Sequence, residues 1–400
     1  MPTTQVSGDG SPSEHHVDYD IHGVVGIRLI NCPPLEAAAI AKTFGPLQGS
    51  LLSTPDIVVR FVNTIAPVQL QYLGLNRYAF TDETLFLLSP KTAAKATIAL
   101  DQIGRSCEVM CENGTDPTPL LTTLISLTAL TKGCVSLHAS AFDYRGTGVL
   151  LTGWKNGGMT EALLAFGLYG ARYVGCEWVL LKDDGHRMCG ITGPFALHAW
   201  HLKYLPRVRR RVNLQSRMLL RSIAWLAASQ RWLPYQALDR LLPIRLLRDA
   251  LPKLKRHLDM KGEPQTIFSP PLGSLEAAPD KVFLLLIHDK PDIYVEPINP
   301  LEIAHRLTSS ICHEQLDFFQ DYLAYKFAFP ERTVAFIEHA PALLEVLLRR
   351  ALAGKEAYLV LHPDPVSLPA LFEGMVPFVK EPANARKFDA NVSQNKRTFE

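Results

Sequence analysis

Residues 148–168, GVLLTGWKNGGMTEALLAFGL, constrain the fold more than any other stretch of the chain. A short apolar run, residues 148–152, reads as a buried strand, and residues 161–166 carry apolar side chains at helical spacing. Between them Gly153, Trp154, Lys155, Asn156, Gly157, Gly158, Met159 and Thr160 follow the pattern G-x-x-x-x-G-K-[ST], with methionine in the lysine slot. In a loop of this kind the glycines let backbone N–H groups turn toward phosphate oxygens, and the following helix adds its positive end. The lysine reaches the β/γ-phosphates and the hydroxyl holds Mg²⁺. Every part but the lysine is present, so Gly153, Asn156, Gly157, Gly158 and Thr160 are the candidate nucleotide-binding residues. The plain alternative is a glycine-rich strand-to-helix turn that binds nothing.

Residues 137–181, LHASAFDYRGTGVLLTGWKNGGMTEALLAFGLYGARYVGCEWVLL, resemble the core of the HPr kinase/phosphorylase-like P-loop kinases, and more narrowly a bacterial group of HPr-kinase-related proteins. The broad likeness runs from about residue 19 to 377, with the detailed motif match confined to 136–181. It implies an α/β fold with a P-loop core of the HPr kinase / PEP carboxykinase-like type. It also implies ATP and Mg²⁺ as cofactors, and a protein serine or small hydroxyl compound as phosphoryl acceptor. His138 falls where these kinases carry a histidine near the phosphates; without the resemblance it reads as a hydrogen-bonded histidine inside a strand. Glu177 falls at the strand end that supplies acidic residues for Mg²⁺ and the acceptor, so Thr160 and Glu177 are the implied metal ligands. Glu177 also reads as a surface or loop-ordering residue.

Two departures strike the chemically central positions: Met159 replaces the lysine and Cys176 an aspartate. Mg²⁺ takes hard oxygen ligands in a tight octahedron, and a thiol replaces a carboxylate poorly. Lys155 lies on the loop and offers a substitute cation, in cis or from a partner subunit of a homo-oligomer; its plain reading is a solvated loop-tip lysine. The arginine-glycine signature that follows the core in true HPr kinases is not recognisable, so HPr itself is not implied as the substrate.

The rest of the chain is read around this core. Residues 1–16 are rich in Ser, Gly, Pro and Asp and lack a charged-then-apolar leader, so they read as disordered. Residues 17–132 read as an N-terminal α/β domain, with strands over 22–30 and 56–62, a helix over 35–43, a hairpin over 78–88 and a helix over 120–130. The P-loop kinase-like domain spans 133–300, with single strands expected over 136–142 and 172–180. A basic helical insertion occupies about 201–260, followed by a Pro/Gly/Ser-rich link over 262–279 and a hairpin formed by 282–287 and 293–297. Residues 301–380 form a mostly helical C-terminal region, with helices over 301–327 and 334–352 and a last strand over 357–361. Residues 381–400 read as a disordered tail.

The net charge of +2 gives no global attraction to polyanions. From Lys203 to Arg256, however, fourteen Lys and Arg face only Asp239 and Asp249. Such a segment offers contact with an anionic membrane across 207–256, against a plainer reading of solvated or paired arginines. No nucleic-acid-binding motif accompanies it. No apolar run of 18 residues argues for a membrane span. The seven cysteines are odd in number, form no zinc-type pairs, and read as reduced cytoplasmic thiols.

Two functions remain open. One is a catalytically impaired, pseudokinase-like descendant that keeps the fold as a nucleotide-binding, scaffold or regulatory protein; the loss of both Met159's lysine and Cys176's aspartate favours it. The other is an active ATP-dependent phosphotransferase in which His138, Lys155 and Glu177 do the work of the lost residues.

Overall fold

The computed structural model describes residues 15–65, 71–73, 78–81, 84–88, 95–211, 260–268 and 272–380. The tail expected over 381–400, residues 1–14 of the expected disordered start, and residues 212–259 of the basic segment lie outside the described residues.

The N-terminal unit is built on an eight-stranded sheet. A hairpin of β1 (His16–Ile21) and β2 (Val25–Ile30) is followed by α1 (Pro34–Phe44), which has proline in its first turn, where the missing N–H costs nothing. The expected strand over 22–30 is therefore shorter, because His22 and Gly23 take positive φ and form the turn. β3 (Ile57–Val62) buries Ile57, Val59 and Phe61 on one face, the period of two that a half-covered strand requires. Then come β4 (Gln71–Leu73), β5 (Tyr78–Phe80), β6 (Thr84–Leu88), β7 (Lys95–Ala99) and β8 (Cys107–Glu112), giving the order β1-β2-β3-β8-β7-β6-β5-β4. α2 (Thr118–Thr131) buries Leu121, Leu124, Ile125 and Leu127 in the same apolar cluster as this sheet.

After α2 the chain alternates between two further sheets. The strand expected over 136–142 is two strands, β9 (Cys134–Leu137) and β10 (Ser140–Tyr144). β11 (Thr147–Gly153) leads into α3 (Met159–Leu168). The strand expected over 172–180 is likewise two, β12 (Arg172–Gly175) and β13 (Trp178–Lys182). β14 (Met188–Ile191), β15 (Phe195–Leu197) and α4 (Pro206–Arg211) follow, the last being the described start of the basic segment. The expected link over 262–279 holds regular structure, with β16 (Met260–Gly262), α5 (Pro264–Ile267) and β17 (Glu276–Ala277). β18 (Lys281–Ile287) and β19 (Tyr294–Pro297) precede α6 (Pro300–Glu314), α7 (Leu316–Ala328) and α8 (Ala335–Leu352). The chain then forms β20 (Glu356–His362) and α9 (Leu368–Lys380). The single helix expected over 301–327 breaks at Gln315, whose side chain turns inward to donate to Ser126 Oγ at 2.7 Å.

The central sheet has the order β12-β10-β11-β18-β20-β19, and β11, β18 and β20 run parallel. β18 and β19 do not form the expected hairpin: β20 inserts between them, parallel to one and antiparallel to the other. Both faces of this sheet are covered, as parallel strands require. Leu150, Val282 and Leu284 point into the cluster shared with the N-terminal unit, while Val149, Leu151, Phe283 and Leu285 point into a second cluster under α3 and α9. A four-stranded sheet, β17-β14-β13-β9, stands beside it. Glycines let the two sheets meet: a Cβ on Gly175 would lie 2.7 Å from Gly190 Cα. No helix among the described residues is long and apolar enough to cross a membrane.

Candidate functional site

The glycine-rich loop runs from the C-terminal end of β11 to the first turn of α3. Asn156 and Gly158 both take positive φ, 62° and 102°, so the chain reverses sharply before the helix begins. Gly157 N donates to Trp154 O at 2.8 Å and closes the turn. From the end of β20, His362 reaches across and donates through Nε2–H to Gly157 O at 3.1 Å. A Cβ on Gly158 would run into that imidazole, so this position is glycine for space as well as for φ. Gly158 is the N-cap of α3 and no side chain caps the helix, which leaves its first-turn N–H groups to face the loop.

His138 and Glu177 are brought together by the two places where the chain changes sheets. β9 and β13 pair in the four-stranded sheet through Leu137 and Val179, while β10 and β12 pair in the central sheet through Ala141 and Gly175. The connecting residues, His138-Ala139 and Cys176-Glu177, therefore lie side by side. Glu177 makes its turn at φ 72°, an uncommon conformation for a non-glycine residue. His138 donates through Nε2 to Glu177 Oε2 at 3.2 Å and through Nδ1 to Glu314 Oε1 at 3.2 Å. Lys155 Nζ lies 3.7 Å from Glu314 Oε2. Lys155, His138 and Glu177 thus belong to one chain of charges, completed by Glu314, the last residue of α6.

Burial opposes a charge on His138, but hydrogen bonds to Glu177 and Glu314 outweigh it and push its pKa up to about 9. The hydrogen bond from His138 holds the Glu314 carboxyl below its usual range, with Lys155 adding to the effect. At neutral pH two cations alternate with two carboxylates, and each carboxylate has a partner. Glu314 escaped the sequence reading because His313-Glu314, in the middle of the helix expected over 301–327, looks like solvated helix surface. Only the packing of α6 against β11 reveals it.

The two departures have different surroundings. Cys176 is buried at 1% exposure, accepts a hydrogen bond from Ser140 Oγ at 3.4 Å, and lies 3.9 Å from Thr160 Oγ1. Burial first, then the neighbouring Glu177 charge, pushes its thiol up to about 12, so it is neutral. Met159 is 5% exposed and packs into the apolar cluster under α3. Thr160 and Glu177, the implied Mg²⁺ ligands, are engaged otherwise: one hydroxyl faces a neutral thiol and the carboxylate holds an imidazolium. This donor set does not suit Mg²⁺, which requires several hard oxygens around one point.

A cavity of about 430 Å³ adjoins the same residues. Cys176, Glu177 and Trp178 form one wall, and Thr43, Thr118 and Thr122 of the N-terminal unit another. Its size is within the range of small-molecule sites, and Glu177 is the only charged group among the described residues that line it. Above the loop, Trp154 is half exposed and stacks on His313, ring centroids 4.8 Å apart. The chain matches no family model and no curated protein sequence.

Proposed function

We propose that the chain is an HPr-kinase-like P-loop protein that has lost metal-assisted phosphoryl transfer and works as a nucleotide-binding, scaffold or regulatory protein. One observation carries the reading: Thr160 Oγ1 sits 3.9 Å from the buried, neutral thiol of Cys176, in place of a metal-binding carboxylate. Phosphoryl transfer depends on positioning and charge neutralisation, with little covalent work by the protein. A charge-assisted contact is worth about 1.5–3 kcal/mol, and 1.4 kcal/mol is about tenfold in rate. Losing both the loop lysine and the aspartate costs about 10³-fold or more on that scale. The uncapped helix start and the positive φ of Asn156 and Gly158 keep a place for phosphate oxygens. ATP is the nucleotide the loop pattern implies, and the seven free thiols suit a reduced, cytoplasmic setting.

A second reading, an active ATP-dependent phosphotransferase, has an observation of its own. Lys155, His138, Glu177 and Glu314 come from four separate segments and converge beside the loop and the cavity. In that case the cavity holds a small hydroxyl compound or a protein serine, with Glu177 as the group facing it. Incubating the unaltered protein with γ-labelled ATP and Mg²⁺ separates the two. The impaired reading expects no turnover approaching ordinary kinase rates, about 1–100 s⁻¹. Turnover in that range that falls in Glu177→Gln establishes the phosphotransferase instead.

A further inference from the structure

The turn between β1 and β2, the strand β14 and the short β17 meet at a point remote in sequence from the loop. There a ring nitrogen of His22, Cys189 Sγ and a Glu276 carboxylate oxygen all lie within 4.8 Å of one another. Cys189 and Glu276 are directly opposed in the antiparallel β14–β17 pair, so their side chains leave the sheet on the same face. His22 is delivered from the other unit by a turn residue at φ 55°.

The hydrogen bonding of His22 makes this more than a cluster. Its Nε2–H donates to Gly190 O at 2.8 Å, and a carbonyl can only accept. In the neutral ring the lone pair is then on Nδ1, which faces Glu276 Oε1 at 3.2 Å. Two acceptors at that distance need a positive centre between them, either a proton or a metal ion. Histidine ligands of metals commonly fix their other ring nitrogen on a backbone carbonyl in this way. Bond lengths of about 2.0–2.3 Å to N, O and S place tetrahedral ligand atoms roughly 3.3–3.6 Å apart. The histidine–carboxylate pair already has that spacing, and the thiol has about an ångström to close.

We propose that His22, Cys189 and Glu276 bind a zinc ion, with water as the fourth ligand, tying the N-terminal unit to the four-stranded sheet. The mixed N, S and O donor set selects zinc over Mg²⁺ or Ca²⁺. Binding replaces the Cys189 S–H bond by a zinc–sulfur bond and releases the proton to solvent. Arg187 opposes the ion: its NH2 group lies 2.6 Å from Glu276 Oε1 and its Nε 3.1 Å from Oε2. The site is consequently weaker than one built from thiolates alone, and Arg187 is also the residue that tunes it. The alternative is a His22 imidazolium paired with Glu276, with no metal.

The test uses full-length, tag-free protein titrated with Zn²⁺ alone, and with Co²⁺ as an optical substitute. The expected result is one Zn²⁺ per chain and a sulfur-to-cobalt charge-transfer band. Cys189→Ser should abolish that band and weaken zinc at least about tenfold, while Arg187→Gln should tighten zinc by a similar factor. Because Arg187→Gln can also loosen the fold, circular dichroism of each variant accompanies the titration. No stoichiometric zinc in the folded wild type, or a cobalt band that survives in Cys189→Ser, overturns the proposal in favour of the ion pair.

Discussion

His138 shows how a residue that looks ordinary in the sequence becomes a charge held in place by two carboxylates. Its folded pKa of about 9 lies above the ordinary 6.5, so its contribution to stability is complete below pH 6.5 and is lost as pH rises through 9. Glu314 works in the other direction: its pKa is depressed, so its contribution is present above the ordinary 4.5 and disappears as pH falls. The pair is therefore intact across the neutral range. Urea midpoints measured from pH 6.5 to pH 9.5 should show wild-type stability falling by on the order of 2 kcal/mol. His138→Gln should be less stable at pH 6.5 and lose most of that slope. An unchanged slope in the variant means that other groups carry the titration and that His138 is not held as an imidazolium.

The strand–loop–helix element is the best place to ask how the parts depend on each other. Gly158 at φ 102° lies under His362, which in turn holds Gly157 O. Gly158→Ala should cost about 2–4 kcal/mol, from the unfavourable φ together with the contact on the imidazole. His362→Ala should remove the contact but leave the φ cost, so chemical denaturation of the double variant should show less loss than the sum of the singles. Strict additivity would mean that the imidazole does not touch this glycine. This element was legible in the sequence because a buried strand, a glycine-rich loop and an apolar helix have patterns of their own. The hairpin expected from 282–287 and 293–297 was not, since a strand's pattern states that it is buried and not which strand lies beside it. The sheet changes at His138-Ala139 and Cys176-Glu177 were hidden for the same reason: strand-like apolar residues stand on both sides of each break, and only Gly175 hinted at one. Cys176 does lie beside the loop, 3.9 Å from Thr160 Oγ1, but Glu314 and His362 carry no local signal. Each reaches the site from a segment at least 150 residues further along the chain than the loop's first residue, Gly153.

At the scale of the whole molecule, the central sheet separates two apolar clusters, and the charged network sits at its edge where the N-terminal unit, the four-stranded sheet and α6 meet. On the proposed reading, the uncapped start of α3 receives phosphate oxygens while charges lie nearby. Glu177 and Glu314 neutralise His138 and Lys155, and the position beside Thr160 is a neutral thiol. A protein built this way should bind the phosphates of a nucleotide through backbone N–H groups that serve a diphosphate as well as a triphosphate. Titration calorimetry of the unaltered protein with ATP and ADP, each with and without Mg²⁺, tests this most directly. The expected result is weak binding in which ATP is no tighter than ADP and Mg²⁺ changes neither by more than about twofold. An ATP affinity that tightens about tenfold or more when Mg²⁺ is added, about 1.4 kcal/mol, would contradict the central claim, because it requires the metal site that Cys176 and the His138-bound Glu177 are held not to provide.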